Sequence, residues 1–328
     1  MTTTATTQDA PRTASAGAFL ARYGLLIALV MLATVFTALS QAVSGQQFFL
    51  TERNLLQIAL QASINAVIAV GMTFVIISGG IDLSVGSIVA LVGIVIAAAL
   101  KSGRADPYTA LLIGIAVGVL CGSINGLLIT RANLPPFIAT LGTMGIFRGL
   151  ALIFSEGRPQ YGLGEEFVQA FAGQVGPIPI PVIIAAIVAV IFAFVLVRTK
   201  IGEYTIAIGG NEETARLSGI NVKTYKVIVY AMCGGLAGLG GVILTARIRA
   251  AEPIAGVSFE LDAIAATVMG GTSLIGGEGT VWGTIIGALF ISLVRNGMNV
   301  LNVQAYWQQL VIGAVIILAV VIDRLRKR

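Results

Sequence analysis

Of 328 residues only 11% are charged and 57% are hydrophobic, with a mean hydropathy of +0.95. A soluble domain carries about 25% charged residues, so a water-facing globule is excluded and a polytopic helical membrane protein, all-α, is expected. The chain has no histidine, its two cysteines (Cys121 and Cys233) sit in apolar runs, and the net charge is a modest +5; disulfide frameworks, metal-site spacings and nucleic-acid binding are excluded, and no cofactor is expected.

In chain order, residues 1–18 are rich in Thr, Ala and Ser and predict a flexible tail. The apolar run from Leu20 to about Val43 is longer than a cleaved signal core, which predicts an anchored first span. About ten spans follow the apolar runs, at roughly 20–43, 56–77, 84–100, 108–130, 137–154, 178–197, 227–247, 261–275, 281–298 and 308–322. Segments three, five and eight are short, as in broken or re-entrant helices. Together, residues 19–323 predict a single transmembrane domain. The 40 glycines suit close helix contacts in lipid.

Alternating these spans from a cytoplasmic N-terminus puts Arg12, Arg22, Arg131, Arg198, Lys200, Arg216, Lys223, Lys226, Arg324, Arg326, Lys327 and Arg328 inside. Arg53, Lys101, Arg104, Arg158, Arg247 and Arg249 fall outside. The bias follows the positive-inside rule and keeps both termini cytoplasmic, including the basic stretch 324–328. Two loops exceed the rest: an external one at 155–177 and a cytoplasmic one at 198–226.

Several motifs sit at span ends. Gly79-Gly80-Ile81-Asp82-Leu83-Ser84 allows a tight backbone path and puts a carboxylate near a membrane boundary. Asp82 either caps the next helix or serves a functional turn. Gly270-Gly271 opens a second Gly-rich turn ending Gly276-Gly277-Glu278-Gly279; it lacks the lysine and the βαβ setting of a phosphate loop, so nucleotide binding is excluded here. The two turns echo one another, either as an internal repeat or as a chance likeness between Gly-rich membrane turns.

In the cytoplasmic loop, Asn211 is placed to cap a short helix carrying Glu212, Glu213 and Arg216 and stopped by Gly219; with Glu203 upstream, it reads as a docking element or as a solvated loop helix. Arg148, inside the fifth segment, faces a cavity or a partner, or snorkels outward. Uncharged polar side chains within spans are candidates to line a path: Gln57, Gln61, Asn65, Asn125 and Thr140, with Ser63, Ser123 and Thr143 beside them. Such side chains suit a neutral polyol, and they equally suit interhelical hydrogen bonds.

The segments Asn65–Ser87, Pro136–Gly142, Ile201–Val222 and Leu261–Ser273 together resemble the ribose-type ABC permease family, a likeness covering about residues 48–323. The resemblance implies a permease in a bacterial inner membrane that takes a monosaccharide or a sugar-like signal from a periplasmic binding protein. It implies pairing with a second permease subunit and with an ATPase of two nucleotide-binding modules, docked on the segment 201–220. An ion-coupled secondary transporter of a small polar solute is the alternative. A membrane-embedded enzyme is disfavoured, since the spans hold no histidine and no clustered acids.

Overall fold

The computed structural model describes residues 16–44, 49–304, 306–314 and 317. Most of the expected tail, the basic residues 324–328 and the end of the tenth expected span lie outside them. The described helices are α1 (Ala16–Ser44), α2 (Glu52–Ile77), α3 (Val85–Lys101), α4 (Pro107–Thr130), α5 (Pro136–Ser155), α6 (Glu165–Ala172), α7 (Ile180–Arg198), α8 (Lys200–Gly210), α9 (Glu212–Leu217), α10 (Val222–Ile248), α11 (Phe259–Met269) and α12 (Val281–Val300). Residues 306–314 are helical too. The strands β1 (Gln160–Tyr161), β2 (Gln174–Val175), β3 (Ile178–Pro179) and β4 (Ala250–Ala251) form two small antiparallel pairs, β1 with β4 and β2 with β3.

Among the described residues, seven helices are long and apolar enough to cross a membrane: α2, α4, α5, α7, α10, α12 and, within α1, Gly24–Ala42. α3 is a shorter apolar helix. The fifth segment, expected to be short, is a full helix of 20 residues, and Pro136 begins it at a position where a missing N–H costs nothing. The eighth is short, as expected, but ends sooner than its expected bound of 275: it runs 11 residues and stops at Met269, so 270–275 belong to the Gly-rich turn.

Helix starts follow local chemistry. Asp106 accepts from the backbone N–H of Tyr108 and of Thr109, each at 2.8 Å, and Pro107 follows it. Thr280 and Asn221 cap α12 and α10 in the same way.

α2 and α10 form the centre. α2 is buried almost continuously from Ala62 to Ile77. Along α10 runs a backbone-close seam with α4. A Cβ at Gly118 would collide with the Gly234 carbonyl, one at Gly122 with the Tyr230 carbonyl, and one at Gly126 would come within 2.7 Å of Val227 Cα. Position rises along α4 as it falls along α10, so the pair is antiparallel. The four glycines of α4, at 114, 118, 122 and 126, lie one turn apart on a single face. In lipid, where no hydrophobic force draws helices together, this closeness supplies the packing.

The two ends of the bundle differ. At one, β1 pairs with β4, Lys101 donates to Gln160 at 2.9 Å, and Arg249 pairs with Glu165 at 2.9 Å. At the other, the turns after α2 and α11 meet α8.

Candidate functional site

The first break, between α2 and α3, starts with a Schellman stop. Gly79 N–H donates to the Ile76 carbonyl and Gly80 N–H to the Val75 carbonyl, with Gly79 at φ +78°. Gly80 lies so close to the Tyr230 hydroxyl that a Cβ would strike it. Beyond it, Asp82 is completely buried. Its carboxylate accepts from Ser84 N–H (2.8 Å) and Ser84 Oγ (2.7 Å), with the Asn125 amide 3.4 Å from each oxygen. Asn125 also donates to Ser84 Oγ (2.7 Å), and its own oxygen accepts from Thr143 Oγ1 (2.6 Å). Thr140 Oγ1 and Tyr230 OH both reach the Ile81 carbonyl, each at 3.3 Å.

Three helices, α4, α5 and α10, therefore converge on the unwound turn between α2 and α3. The donors around Asp82 are all neutral, and no cation pairs with it among the described residues. Asp82 does satisfy the Ser84 N–H ahead of α3, and it also ties that turn to α4. Asn125 and Thr140 have no exposed surface in this conformation.

The second break, between α11 and α12, opens with the same stop: Gly271 N–H to the Val268 carbonyl, Thr272 N–H to the Thr267 carbonyl, and Gly271 at φ +91°. The left-handed glycine is the first of its pair in one turn and the second in the other, so the two are offset by one residue. The same stop also closes α3, α5, α9 and α12. It is a general helix ending in this chain and does not by itself mark a duplication.

The two breaks touch. Gly277 N–H donates to the Ile77 carbonyl at 2.9 Å. Gly209, near the end of α8, lies against both: a Cβ there would overlap the Ile77 carbonyl and lie 2.6 Å from Gly277 N. Thr73 and Thr284 share a hydrogen bond of 2.7 Å, and Thr267 Oγ1 reaches the Ala69 carbonyl at 3.3 Å, tying α2 to α12 and α11.

α8 leads into α9, the short helix expected in the cytoplasmic loop. Asn211 caps it by accepting from Thr214 N–H at 2.8 Å. Arg216 contacts both oxygens of Glu213, at 2.5 and 3.0 Å, and this hydrogen bonding holds the Glu213 carboxyl below its usual range. Glu212 pairs with Lys226 of α10 at 2.6 Å. Ala215 packs with Ile208 and Val222, which fastens α9 to α8 and α10. Gly219, at φ +87°, ends the helix. Glu203 is exposed on α8. α8 itself was not anticipated; the sequence placed no helix upstream of Asn211.

At the opposite end lies a polar group that sequence reasoning left out. Asp262 of α11 is buried and bonds Arg295 of α12 through both oxygens, at 2.7 and 2.8 Å. Asn65 of α2 reaches the same carboxylate. Asn54 and Asn296 exchange two hydrogen bonds of 2.9 and 3.0 Å. A cavity of about 310 Å3 opens beside the pair, lined by Asp262, Arg295, Gln308 and Gln309 among others. Gln61 is half-buried one turn before Asn65, and Gln57 is exposed a turn further on. Arg148 forms no ion pair with a carboxylate among the described residues. It donates to the carbonyls of Pro253 (2.8 Å) and Ala255 (2.7 Å), pinning the turn before α11. The signal that marks Asp262 and Arg295 in sequence is the rarity of charge inside apolar segments.

Residues 54–320 match the protein family described as "Branched-chain amino acid transport system / permease component". The sequence is 45% identical to the D-allose transport system permease protein AlsC of Escherichia coli (strain K12), over 93% of this chain and 92% of that one. It is 48% identical to the ribose import permease protein RbsC of Bacillus subtilis (strain 168), over 84% and 86% of the two chains. It is 35% identical to the xylose transport system permease protein XylH of Haemophilus influenzae, over 92% and 96%. No solved structure matches the chain.

Proposed function

We propose, on the premise that this chain belongs to the branched-chain amino acid transport system / permease component family, that it forms the translocation path of an ATP-driven importer for a monosaccharide or sugar-like solute. The observation that carries the sugar class is the likeness to permeases named for D-allose and ribose at 45% and 48% identity. The chain is a transport subunit and not an enzyme. It works with a second permease subunit, an ATPase of two nucleotide-binding modules and a periplasmic sugar-binding protein.

It is a polytopic membrane protein of the inner membrane. We count ten crossings: α1, α2, α3, α4, α5, α7, α10, α11 with its turn, α12, and the helix that begins at 306. The clustering of 101, 160–165 and 249–251 at one end, and of 77, 209 and 277 at the other, agrees with the charge bias and favours cytoplasmic termini.

The polar stripe Gln57, Gln61, Asn65 on α2, continued by the Asp262–Arg295 pair and its cavity, is the path's candidate lining. Amides and a fixed ion pair match the hydroxyls of a sugar and cost little to desolvate once already paired. Asn125 and Thr140, together with Gly79, Gly80 and Asp82, belong to the hinge between α2 and α3; Gly270 and Gly271 belong to the hinge between α11 and α12. α8 and α9, from Glu203 to Gly219, are the ATPase docking element. Closure of the ATPase moves this element, and through Gly209 it moves both hinges. Only such a difference in contacts between the two states can drive the switch.

The test is reconstitution with ATPase and binding protein in proteoliposomes, with labelled ribose, D-allose and leucine. Sugar uptake should require ATP and every component. Leucine uptake without sugar uptake would overturn the sugar class. Sugar uptake driven by an ion gradient with no ATPase would overturn the ATP-driven reading in favour of a secondary transporter.

A further inference from the structure

A groove of about 370 Å3 lies where the end of α4 meets the start of α10. Arg131, which caps α4, and Lys223, in the first turn of α10, both line it. Both are exposed, and neither forms an ion pair among the described residues. Their neighbours are already committed: Lys226 to Glu212 and Arg216 to Glu213. Thr224 adds a hydroxyl at the same rim, while Leu127, Val227 and Ile228 line the groove with apolar surface. α4 and α10 are both candidate membrane spans, so this rim falls where membrane meets water.

One cation at a span end is ordinary, since Lys and Arg flank spans and complement helix C-termini. Two unpaired cations on different helices, facing one groove whose apolar side leads along the spans, make a different object. The charge calls for a phosphate and the apolar side calls for an acyl chain. We propose that this groove binds the headgroup of an anionic phospholipid, with its phosphate between Arg131 and Lys223 and its chain along Leu127, Val227 and Ile228. The proposal rests on α4 and α10 being membrane spans and is independent of which solute is carried. Because α10 also holds Lys226, which pairs with α9, an occupied groove steadies the base of the docking element.

The experiment is native mass spectrometry of the purified full chain in detergent, titrated with phosphatidylglycerol or phosphatidylcholine, alongside thermal unfolding with each lipid and with inorganic phosphate. The probe variant is Arg131→Gln/Lys223→Gln. The control is Arg198→Gln/Lys200→Gln, which removes two cations from the same end of the bundle. Wild type and control should retain phosphatidylglycerol, and the probe variant should bind it roughly thirtyfold more weakly, about tenfold for each 1.4 kcal/mol at about 1 kcal/mol per cation. The swap Arg131→Lys/Lys223→Arg should keep binding, which guards against misfolding of the neutral variant. Equal retention by wild type and probe variant overturns the proposal, as does equal binding of phosphatidylcholine. So does full stabilisation by inorganic phosphate alone, which would make the site a free-anion site. Loss of ATPase co-purification with lipid binding unchanged would assign the groove to the partner and overturn it too.

Discussion

On the proposed reading Asn125 is central to the first hinge, because it hydrogen-bonds both to the Asp82–Ser84 turn and to α5 through the same amide group. Leucine has similar bulk and no polar atoms. Asn125→Leu leaves a buried carboxylate and the Ser84 hydroxyl short of a donor and leaves Thr143 only its longer bond to the Thr140 carbonyl, at about 1–3 kcal/mol for an unmade buried hydrogen bond and more where charge is involved. We expect a clear fall in the unfolding midpoint in detergent, with transport lost alongside. Gln61→Leu is expected to behave in the opposite way. Gln61 is half-buried and one turn from Asn65, well before the break that follows Ile77. Its replacement should slow sugar flux while the midpoint stays put. If both variants lose flux at an unchanged midpoint, Asn125 lines the path after all and the division between hinge and lining fails.

At the scale of elements, the α4–α10 seam predicts a sharp contrast among glycines. Gly122→Val must push two backbones apart at the Tyr230 carbonyl, and overpacking of this kind costs about 1–3 kcal/mol or more. Gly142 on α5 has nothing within 4 Å of a built Cβ, so Gly142→Ala should leave stability unchanged or slightly raised through better helix propensity. Expression level and thermal unfolding of the two variants check this, and equal tolerance would refute the seam's role. The elements themselves were legible to differing degrees. The long apolar helices announce themselves by length, and α9 by Asn211 and Gly219. The residue at which α11 stops was hidden, because Leu274 and Ile275 continue the apolar run past the Gly270-Gly271 turn, although the segment reads as short and that turn as Gly-rich. α8 was hidden too: Lys200–Gly210 carries two glycines at its end and reads as loop until it is packed beside α7 and α10. The site was half legible. Gly79, Asp82 and Gly271 stand out locally, and so does Ser84 beside Asp82, whereas the other partner of Asp82, Asn125, lies 43 residues away on α4, and Asp262 finds Arg295 33 residues on, pairings that no local pattern encodes.

For the whole molecule, the expected consequence is one connected stroke. α9 is fastened to α10 through Glu212–Lys226 and to α8 through its small apolar cluster, so a push on α9 moves a body and not a loose loop. Reversing charge at Glu212 or Arg216 should spare membrane insertion while reducing ATPase recruitment, or uncoupling hydrolysis from the loaded binding protein. A matched reversal at Arg104, at the other end of the bundle, should do neither. Co-purification and stimulated ATP turnover in proteoliposomes read this out. Normal values in both loop variants would move the docking contact elsewhere, such as to the turn at 131–136.

At the point where Gly209, Ile77 and Gly277 meet, main chain touches main chain and no side chain intervenes. A joint of this kind is indifferent to the identity of nearly every other residue in the bundle. The proposed lining near Asn65 and Asp262 is on this reading free to drift towards a different cargo without disturbing the linkage, much as a lock can be re-keyed without changing its bolt. The linkage in turn is intolerant at its glycines: a residue larger than glycine at 209 would force the three chain segments of the joint apart, and 276 and 277 hold positive φ against the same backbone.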